Sequence, residues 1–335
     1  MKPQILSIIF IALILYSNQG VSQSDSTFAT QDTTLANTFF TRAKELYEKA
    51  QYDSSINYFE KASVIYEQAG IQYDETKTWE KYIKCIISIG RSLNILGKYD
   101  NAIEHLNKAL TIGLNKLGEN HFEISSIYNS IGVVNFSSGN YDQALEYYKK
   151  ALNIIVLTLG ESHPNVADCY NNIGLIYHNY LHYDKALEYY SKSLALKLKL
   201  LGENHLKVAN TYNNIGCIHW GPADFGTGDF DKAIEYFKKS LEIRHKILGE
   251  SHPEVAKNYY YIGNVFEEKG DYNNAIEYYN KSLSICKQTF GENHKSVASN
   301  YRCIGLIYKH KKDYDAALNY PKITAKQKNC FENCL

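Results

Sequence analysis

Asparagine recurs at one fixed interval, and its side chain can form two kinds of hydrogen bond. Asn129, Asn171 and Asn213 stand 42 residues apart. An amide both donates and accepts, so a row of amides can pair with the backbone of an extended peptide whatever its sequence. Tyr260 and Arg302 continue the row with groups suited to aromatic or acidic side chains. These residues favour peptide recognition, and the alternative is a solvated helix face that tolerates polar residues.

Five histidines recur at intervals of 42 or 47 residues, which raises the question of a metal site. They are His121, His163, His205, His252 and His294. The ligands of one ion lie within about 2 Å of it. Equivalent residues of stacked helix pairs lie roughly 10 Å apart or more, because packed helix axes alone are about 8–10 Å apart. We therefore expect these histidines to begin helices or to pack, and we expect no metal ion or other cofactor.

Neither catalysis nor nucleic-acid binding is favoured by the composition. The sequence has no phosphate-cradling glycine loop, nucleophile elbow, HExxH motif or Cys-x-x-Cys pair. Lysine plus arginine equal aspartate plus glutamate, at 36 each, so no basic excess is present to neutralise phosphates. We expect a protein that is not an enzyme and does not bind nucleic acid.

The seven cysteines are scattered and odd in number, which is not the pattern of a disulfide framework. Cys330 and Cys334 lie close together and could pair with each other or with another chain. The others are expected to be small buried helix residues: Cys85, Cys169, Cys217, Cys286 and Cys303.

One period organises the chain. Glycine stands at positions 90, 132, 174, 216, 263 and 305, and a Gly-Glu-(Asn/Ser)-His element begins at Gly118, Gly160, Gly202, Gly249 and Gly291. An aromatic residue followed by Asp or Asn recurs in the same steps of 42 or 47 residues. The longer step between positions 216 and 263 has five extra residues within 221–228, where the composition is typical of a loop.

Each period holds two helical segments. In residues 163–200 the apolar side chains recur every three or four positions, first from Val166 to Tyr177 and then from Ala186 to Leu198. A glycine inside the first helix costs about 1 kcal/mol relative to alanine, so its recurrence predicts a close approach of the partner helix. No hairpin can cover its apolar faces alone, so neighbouring hairpins must stack.

The Gly-Glu-(Asn/Ser)-His element is predicted to end one helix and begin the next. Gly160 is expected at a left-handed C-terminal position, with Ser162 as the next N-cap and Pro164 in the first turn. Ser251 and Glu254 predict a capping box. The polar residue after the recurrent aromatic is also expected to be an N-cap: Asp100, Asp142, Asp184, Asp231, Asn273 and Asp315.

These patterns resemble the tetratricopeptide repeat (TPR) family. Its consensus of aromatic, Leu-Gly, Tyr, Ala, aromatic and Ala is followed by Tyr170, Ile173-Gly174, Tyr177, Ala186, Tyr190 and Ser193. The 42-residue period and the YNNIG and LGENH phrases are similar to kinesin light chain repeats. The resemblance implies an all-α fold, an α-α superhelix (TPR solenoid) of about six to seven helix-turn-helix repeats spanning residues 36–320.

The resemblance also implies where a ligand binds, because arrays of this family line a concave groove with the first helix of each pair. The groove side is expected to contain the residues six and three before the recurrent glycine and one and four after it. We name these positions the first-helix stripe; Trp220 and Glu267 belong to it. Its candidate ligand-binding residues are Asn129, Asp168, Asn171, Asn210, Asn213, Lys257, Tyr260 and Arg302.

Residues 1–22 are typical of a secretory signal peptide. Lys2 precedes a 12-residue apolar run from Ile5 to Tyr16, and small residues follow for cleavage. The run is short for a bilayer span; an uncleaved anchor is the alternative, and only then is membrane contact expected. Residues 23–35 are expected to be a linker, and residues 321–335 a degenerate repeat or tail, because Pro321 breaks the last helix.

We therefore expect an exported, periplasmic or secreted scaffold that holds a protein or peptide in its groove. The alternative is a truncated sensory ectodomain of a TPR-containing signal-transduction protein. A third class, an enzyme or metal protein, is supported only by Cys330 and Cys334.

Overall fold

The computed structural model describes residues 25–221 and 228–319, and this part of the chain contains helices and no strand. Odd-numbered helices are the first helices of hairpins and even-numbered helices the second. The helices are α1 (Asp25–Glu48), α2 (Tyr52–Tyr73), α3 (Thr76–Ile95), α4 (Tyr99–Leu117), α5 (Phe122–Ser137), α6 (Tyr141–Leu159), α7 (Pro164–Asn179), α8 (Tyr183–Leu201), α9 (Leu206–Trp220), α10 (Phe230–Leu248), α11 (Pro253–Glu268), α12 (Tyr272–Phe290), α13 (Lys295–His310) and α14 (Tyr314–Asn319). The predicted all-α fold of six to seven helical pairs is confirmed.

The chain divides into two compact units, residues 1–138 and 139–335. The first unit contains α1 to α5, and the second contains α6 to α14. Within each unit every helix packs against the next helix along the chain. Two pairs of consecutive first helices also contact one another, α3 with α5 in the first unit and α7 with α9 in the second. This order of packing is the stacking of hairpins that the periodicity predicts.

Glycines with left-handed backbone conformation end the second helices. Gly160 has a φ of 82° at the C-cap of α6, and its amide donates to the carbonyl of Val156 at 3.0 Å. A Cβ added to Gly160 would meet nothing within 4 Å, so the backbone conformation and not the available space requires glycine here. The predicted role of this glycine is confirmed.

The next helix begins on the histidine of the repeated element and not on the serine before it. Nδ1 of His163 accepts a hydrogen bond from the N–H of Asn165 at 3.2 Å, so the expected Ser162 cap is wrong by one residue. The imidazole reaches an amide that has no partner inside the helix. The same bond is made by His121, His205, His252 and His294. The predicted helix-start role of the histidines is confirmed, whereas the capping box on Ser251 is wrong.

The Asp and Asn residues after the recurrent aromatics are not N-caps, contrary to the sequence prediction. The helix α6 begins at Tyr141, which makes Asp142 its second residue. A carboxylate in the first turn is favourable next to the positive end of the helix dipole. Asp142 also accepts a hydrogen bond from the Tyr180 hydroxyl, and Asp231 accepts one from Lys269 Nζ at 2.5 Å. These residues therefore join one hairpin to the next.

The glycine inside four of the first helices makes room for a large side chain of the partner helix. A Cβ added to Gly174 in α7 would lie 2.7 Å from the Tyr190 ring of α8. A Cβ added to Gly216 in α9 would lie 2.9 Å from the Phe237 ring of α10. The predicted packing role of the recurrent glycine is confirmed.

Several expectations concern the ends of the chain. The helix α1 begins at Asp25, so residues 25–35 are helical where a linker was expected, because extending the packed helix at Ala36 costs less than nucleating a new one. Residues 1–22, 222–227 and 321–335, including Cys330 and Cys334, lie outside the described residues. The other five cysteines are free and are buried or, for Cys217, partly buried, as predicted. No helix of the described residues is both long enough and apolar enough to cross a membrane.

Candidate functional site

The eight candidate residues all lie on first helices, and none of them is fully buried. One is in the first unit, Asn129 on α5. Seven are in the second unit: Asp168 and Asn171 on α7, Asn210 and Asn213 on α9, Lys257 and Tyr260 on α11, and Arg302 on α13. The residue immediately before three of them is fully buried or nearly so: Ala167, Ala209 and Ala256. The first-helix stripe is thus a face distinct from the hairpin core.

Some side chains of the asparagine row already form hydrogen bonds within the protein. Nδ2 of Asn214 donates to Oδ1 of Asn171 at 3.1 Å, which joins α9 to α7. Nδ2 of Asn213 lies 3.9 Å from Cys217 Sγ, and Oδ1 of Asn213 is buried without a hydrogen-bond partner in the described part of the chain. A buried acceptor left unpaired costs roughly 1–3 kcal/mol. Asn213, more than Asn171, therefore has hydrogen-bonding capacity left for a ligand.

Asp168 compensates a buried lysine. Its carboxylate accepts a hydrogen bond from Lys207 Nζ at 2.7 Å and lies 3.6 Å from Lys197 Nζ. The Lys197 side chain is 5% exposed and also donates to Thr211 Oγ1 at 3.0 Å. Burial lowers the pKa of Lys197, and the charge of Asp168 opposes that shift. The carboxylate of Asp168 is therefore already paired with the ammonium groups of Lys197 and Lys207.

Arg244 occupies the equivalent position of the next hairpin, 47 residues after Lys197. Its guanidinium donates to Oδ1 of Asn210 at 2.8 Å and to Oδ1 of Asn258, and it lies 3.3 Å from Glu254 Oε2. The residue is buried. Asn210, like Asp168, is therefore positioned by a cation that reaches it from the second helix.

Sequence reasoning missed both buried cations. The equivalent residues of the flanking hairpins are Ile155 and Cys286, which are buried core residues. Lys197 and Arg244 are thus charged residues at an apolar position of the helical pattern. That mismatch was the available signal, because lysine and arginine are rarely buried unless they are paired.

Tyr260 and Arg302 line a cavity in the second unit, which we name the α9–α13 cavity. Its volume of about 390 Å³ falls in the range of ligand sites. The Tyr260 hydroxyl lies 3.4 Å from Cys303 Sγ, and burial raises the pKa of Tyr260. The other lining residues are Trp220, Asn264, Glu267, Glu268, Tyr272, Cys303, Leu306 and His310. Consecutive first helices α9, α11 and α13 therefore build one concave site together with the start of α12.

Two carboxylates, Glu267 and Glu268, line the α9–α13 cavity. The Tyr279 hydroxyl lies 2.5 Å from Glu267 Oε2 and 2.6 Å from Asn264 Oδ1. Burial raises the pKa of Glu268, the nearby Trp220 indole N–H opposes that shift, and the charge of Glu267 adds to it. The Tyr279 hydroxyl thus holds Glu267 by a hydrogen bond, while Glu268 lies beside the Trp220 ring.

A second cavity, also of about 390 Å³, lies in the first unit. It is built by first helices α1, α3 and α5 with one residue of α2. Here Lys84 Nζ lies 3.1 Å from Glu123 Oε1, so a carboxylate of this cavity is already paired with a cation. The lining residues are Phe40, Lys44, Tyr47, Glu48, Phe59, Lys84, Ile87, Ser88, Arg91, Phe122, Glu123 and Ser126.

Asn129 and Lys257 lie outside the lining of both cavities. Asn129 is half-buried on α5. Lys257 is exposed, and its ammonium lies 5.9 Å from the centre of the Tyr261 ring. Within residues 25–221 and 228–319 no group of three His, Cys, Asp or Glu side chains is placed to hold a metal ion.

Known proteins share this architecture. The tetratricopeptide repeat family model matches residues 85–155, 123–197, 223–288 and 254–320. The structure of BtubC (BKLC) from P. vanneervenii is 21% identical, with 72% of this chain and 92% of that chain covered and a TM-score of 0.62. The apo form of the quorum sensor NprR from B. thuringiensis is 17% identical, with 96% and 81% covered and a TM-score of 0.64.

Kinesin light chain-type repeats are also similar. A Podosopora anserina structure of nearly identical TPR-like repeats of this type is 17% identical, with 62% of this chain and 96% of that chain covered and a TM-score of 0.51. At these identities the likeness concerns the fold. No curated protein matches the sequence.

Proposed function

The chain belongs to the tetratricopeptide repeat family, and from this premise we propose that it is an exported, non-enzymatic scaffold that binds a peptide or an extended protein segment along its first-helix stripe. The α9–α13 cavity carries the proposal, because it gathers Tyr260 and Arg302 with aromatic and carboxylate side chains of consecutive first helices. Stacked repeats offer such extended surfaces to ligands.

The groups on the first-helix stripe suit a peptide in two ways. The unpaired Oδ1 of Asn213 can accept a hydrogen bond from a backbone N–H of the ligand after a small rotation of the amide. The cavity offers rings and charges to a side chain of the ligand. Backbone and side chain of one extended segment would then be bound along the same row of helices.

Selection from a library of random short peptides tests this function. The full chain is immobilised, and the Kd of enriched peptides is measured by fluorescence anisotropy for the parent protein and for Tyr260→Ala/Arg302→Ala. We expect the double variant to bind at least tenfold more weakly, which corresponds to about 1.4 kcal/mol. The control Glu277→Ala/Lys281→Ala removes an exposed 2.6 Å ion pair on α12 and should leave the Kd unchanged. Failure to enrich any peptide, or equal affinities of the two variants, contradicts the proposal.

Export is supported by the charge and apolar pattern of residues 1–22. The test is expression of the full chain in a bacterial host, followed by fractionation and N-terminal sequencing. We expect a protein outside the cytoplasm that begins after residue 22. A cytoplasmic protein that retains Met1 contradicts this part of the proposal.

A further inference from the structure

Aromatic rings from three elements form part of the wall of the α9–α13 cavity. Trp220 ends α9, Tyr260 lies on α11, and Tyr272 begins α12. His310 stacks on Tyr272, with ring centroids 6.3 Å apart and an interplanar angle of 9°. The faces of such rings carry partial negative charge and attract organic cations, tryptophan most strongly.

The ionisable groups of the cavity add to this preference. Two carboxylates, Glu267 and Glu268, and one guanidinium, Arg302, line the cavity, so its formal charge is negative when His310 is neutral. Neither glutamate takes part in an ion pair of the described residues. Asp168, in contrast, is paired with lysine.

The pKa of Glu268 is consistent with a carboxylate that lacks a nearby counterion. Burial raises this pKa, and a cation within about 4–6 Å would lower it again. Arg302 is not among the groups that shift the pKa of Glu268, and its guanidinium acts on the Tyr260 hydroxyl instead. The cavity therefore contains more carboxylates than guanidinium groups to neutralise them.

We propose that the α9–α13 cavity holds the cationic side chain of a lysine or arginine in the bound peptide. This inference rests on the proposed function and adds the class of side chain that is recognised. The methylene stem would pack against the rings and Leu306, and the charged head would reach Glu267 and Glu268. An acidic side chain in this cavity would meet two carboxylates and one guanidinium, which disfavours it.

Binding of fluorescein-labelled hexa-arginine, hexa-lysine and hexa-glutamate to the full chain tests the inference. We expect anisotropy to report binding of the two basic peptides and not of the acidic one. Glu267→Gln/Glu268→Gln removes two charges at nearly constant shape and should raise the Kd for hexa-arginine at least tenfold.

Glu235→Gln/Glu277→Gln is the matched control. It removes the same number of charges from α10 and α12, where both carboxylates are more than half exposed and paired with lysine. Its Kd should change less than twofold. Circular dichroism of both variants establishes that they are folded.

Trp220 provides a readout of location. The chain has two tryptophans, and we expect the fluorescence change caused by hexa-arginine to disappear in Trp220→Phe and to persist in the control variant. A change that survives Trp220→Phe places the peptide elsewhere and overturns the inference.

The outcomes separate this inference from the proposed function. Tighter binding of hexa-glutamate, or equal Kd values for the two glutamine variants, overturns recognition of a cation. The peptide-binding function stands in that case if library peptides still depend on Tyr260 and Arg302. If neither defined nor library peptides bind, both proposals fail.

Discussion

Tyr190, Phe237 and Tyr279 occupy one position in three successive hairpins, each with its ring against a first-helix glycine. The Tyr279 hydroxyl lies within hydrogen-bond distance of Asn264 and Glu267. The Tyr190 hydroxyl is buried without a hydrogen-bond partner in the described part of the chain. The aromatic ring thus packs against the glycine in all three hairpins. Of the two tyrosine hydroxyls, only that of Tyr279 has a hydrogen-bond partner among the described residues.

Tyr190→Phe should raise the free energy of unfolding by about 1 kcal/mol, because it removes a buried polar group that has no partner. Tyr279→Phe should lower it by a similar amount, since it removes the O–H donor that Asn264 Oδ1 and Glu267 Oε2 share. Urea denaturation followed by circular dichroism measures both changes. Equal destabilisation by the two substitutions would mean that the Tyr190 hydroxyl is bonded.

His219 couples stability to pH. It is 9% exposed and lies flat on Tyr236, with ring centroids 5.6 Å apart. Burial and then Lys232 lower the pKa of His219, while Asp229 and Glu235 oppose the shift. The unfolded chain therefore binds this proton more readily than the folded one. Stability is full above the ordinary pKa of about 6.5 and falls as the pH drops below it.

His219→Phe should therefore be less sensitive to acid than the parent protein. The equivalent residue of the next hairpin is Phe266, so the position accepts this ring. The Tm of both proteins is measured at neutral pH and at about pH 5, where the parent pays for protonating His219. We expect a smaller decrease in Tm for the variant; parallel decreases would show that His219 does not contribute.

At the scale of elements, the turn inside each hairpin keeps one backbone conformation while its residue changes. Equivalent positions have positive φ at Gly97, Gly139, Gly228 and Gly270, but also at Ala50, Leu181 and Lys312. The non-glycine residues adopt a left-handed conformation that L side chains disfavour. The left-handed backbone of the turn is therefore imposed by the packing of the two helices and not by the local sequence.

Leu181→Gly should stabilise the protein by about 1 kcal/mol. Leu181 has a φ of 59° and is 52% exposed, so its side chain contributes little to packing, while its backbone is strained. Part of the gain is offset by the greater freedom of glycine in the unfolded chain. Gly139→Leu, at a φ of 83°, should have the opposite sign. Thermal unfolding measures both, and a lower Tm for Leu181→Gly would contradict the strain.

The spacing of residues in the sequence predicted the helices better than it predicted the candidate binding site. The 42-residue period locates hairpins because each helix needs an apolar face at fixed phase. It also placed Tyr260 and Arg302 on one face, and both line the α9–α13 cavity. Glu268 and Tyr272 line the same cavity from positions outside the first-helix stripe, at the end of α11 and the start of α12. Capping was missed by one residue at Ser162 and by two at Asp142, because it depends on which side chain or backbone group reaches the free amides.

At the scale of the whole molecule, the contacts are made between neighbours. Within each unit the helices pack against those adjacent in the chain, and α3 with α5 and α7 with α9 also contact one another. Stability of such an array is approximately a sum of repeat terms and nearest-neighbour interface terms. A whole period should then be removable, whereas half of one should not.

Deletion of residues 164–205 removes α7 and α8, which is one period of 42 residues, and joins His163 to Leu206. His163 then caps α9 as His205 does, so we expect unchanged helicity per residue by circular dichroism and cooperative unfolding at a lower Tm. Deletion of residues 164–182 removes α7 alone and exposes the apolar face of α8, including Tyr190. That variant should lose helicity or aggregate, as seen by size-exclusion chromatography. If both deletions behaved alike, the hairpin would not be the unit of folding, and stability would depend on contacts beyond nearest neighbours.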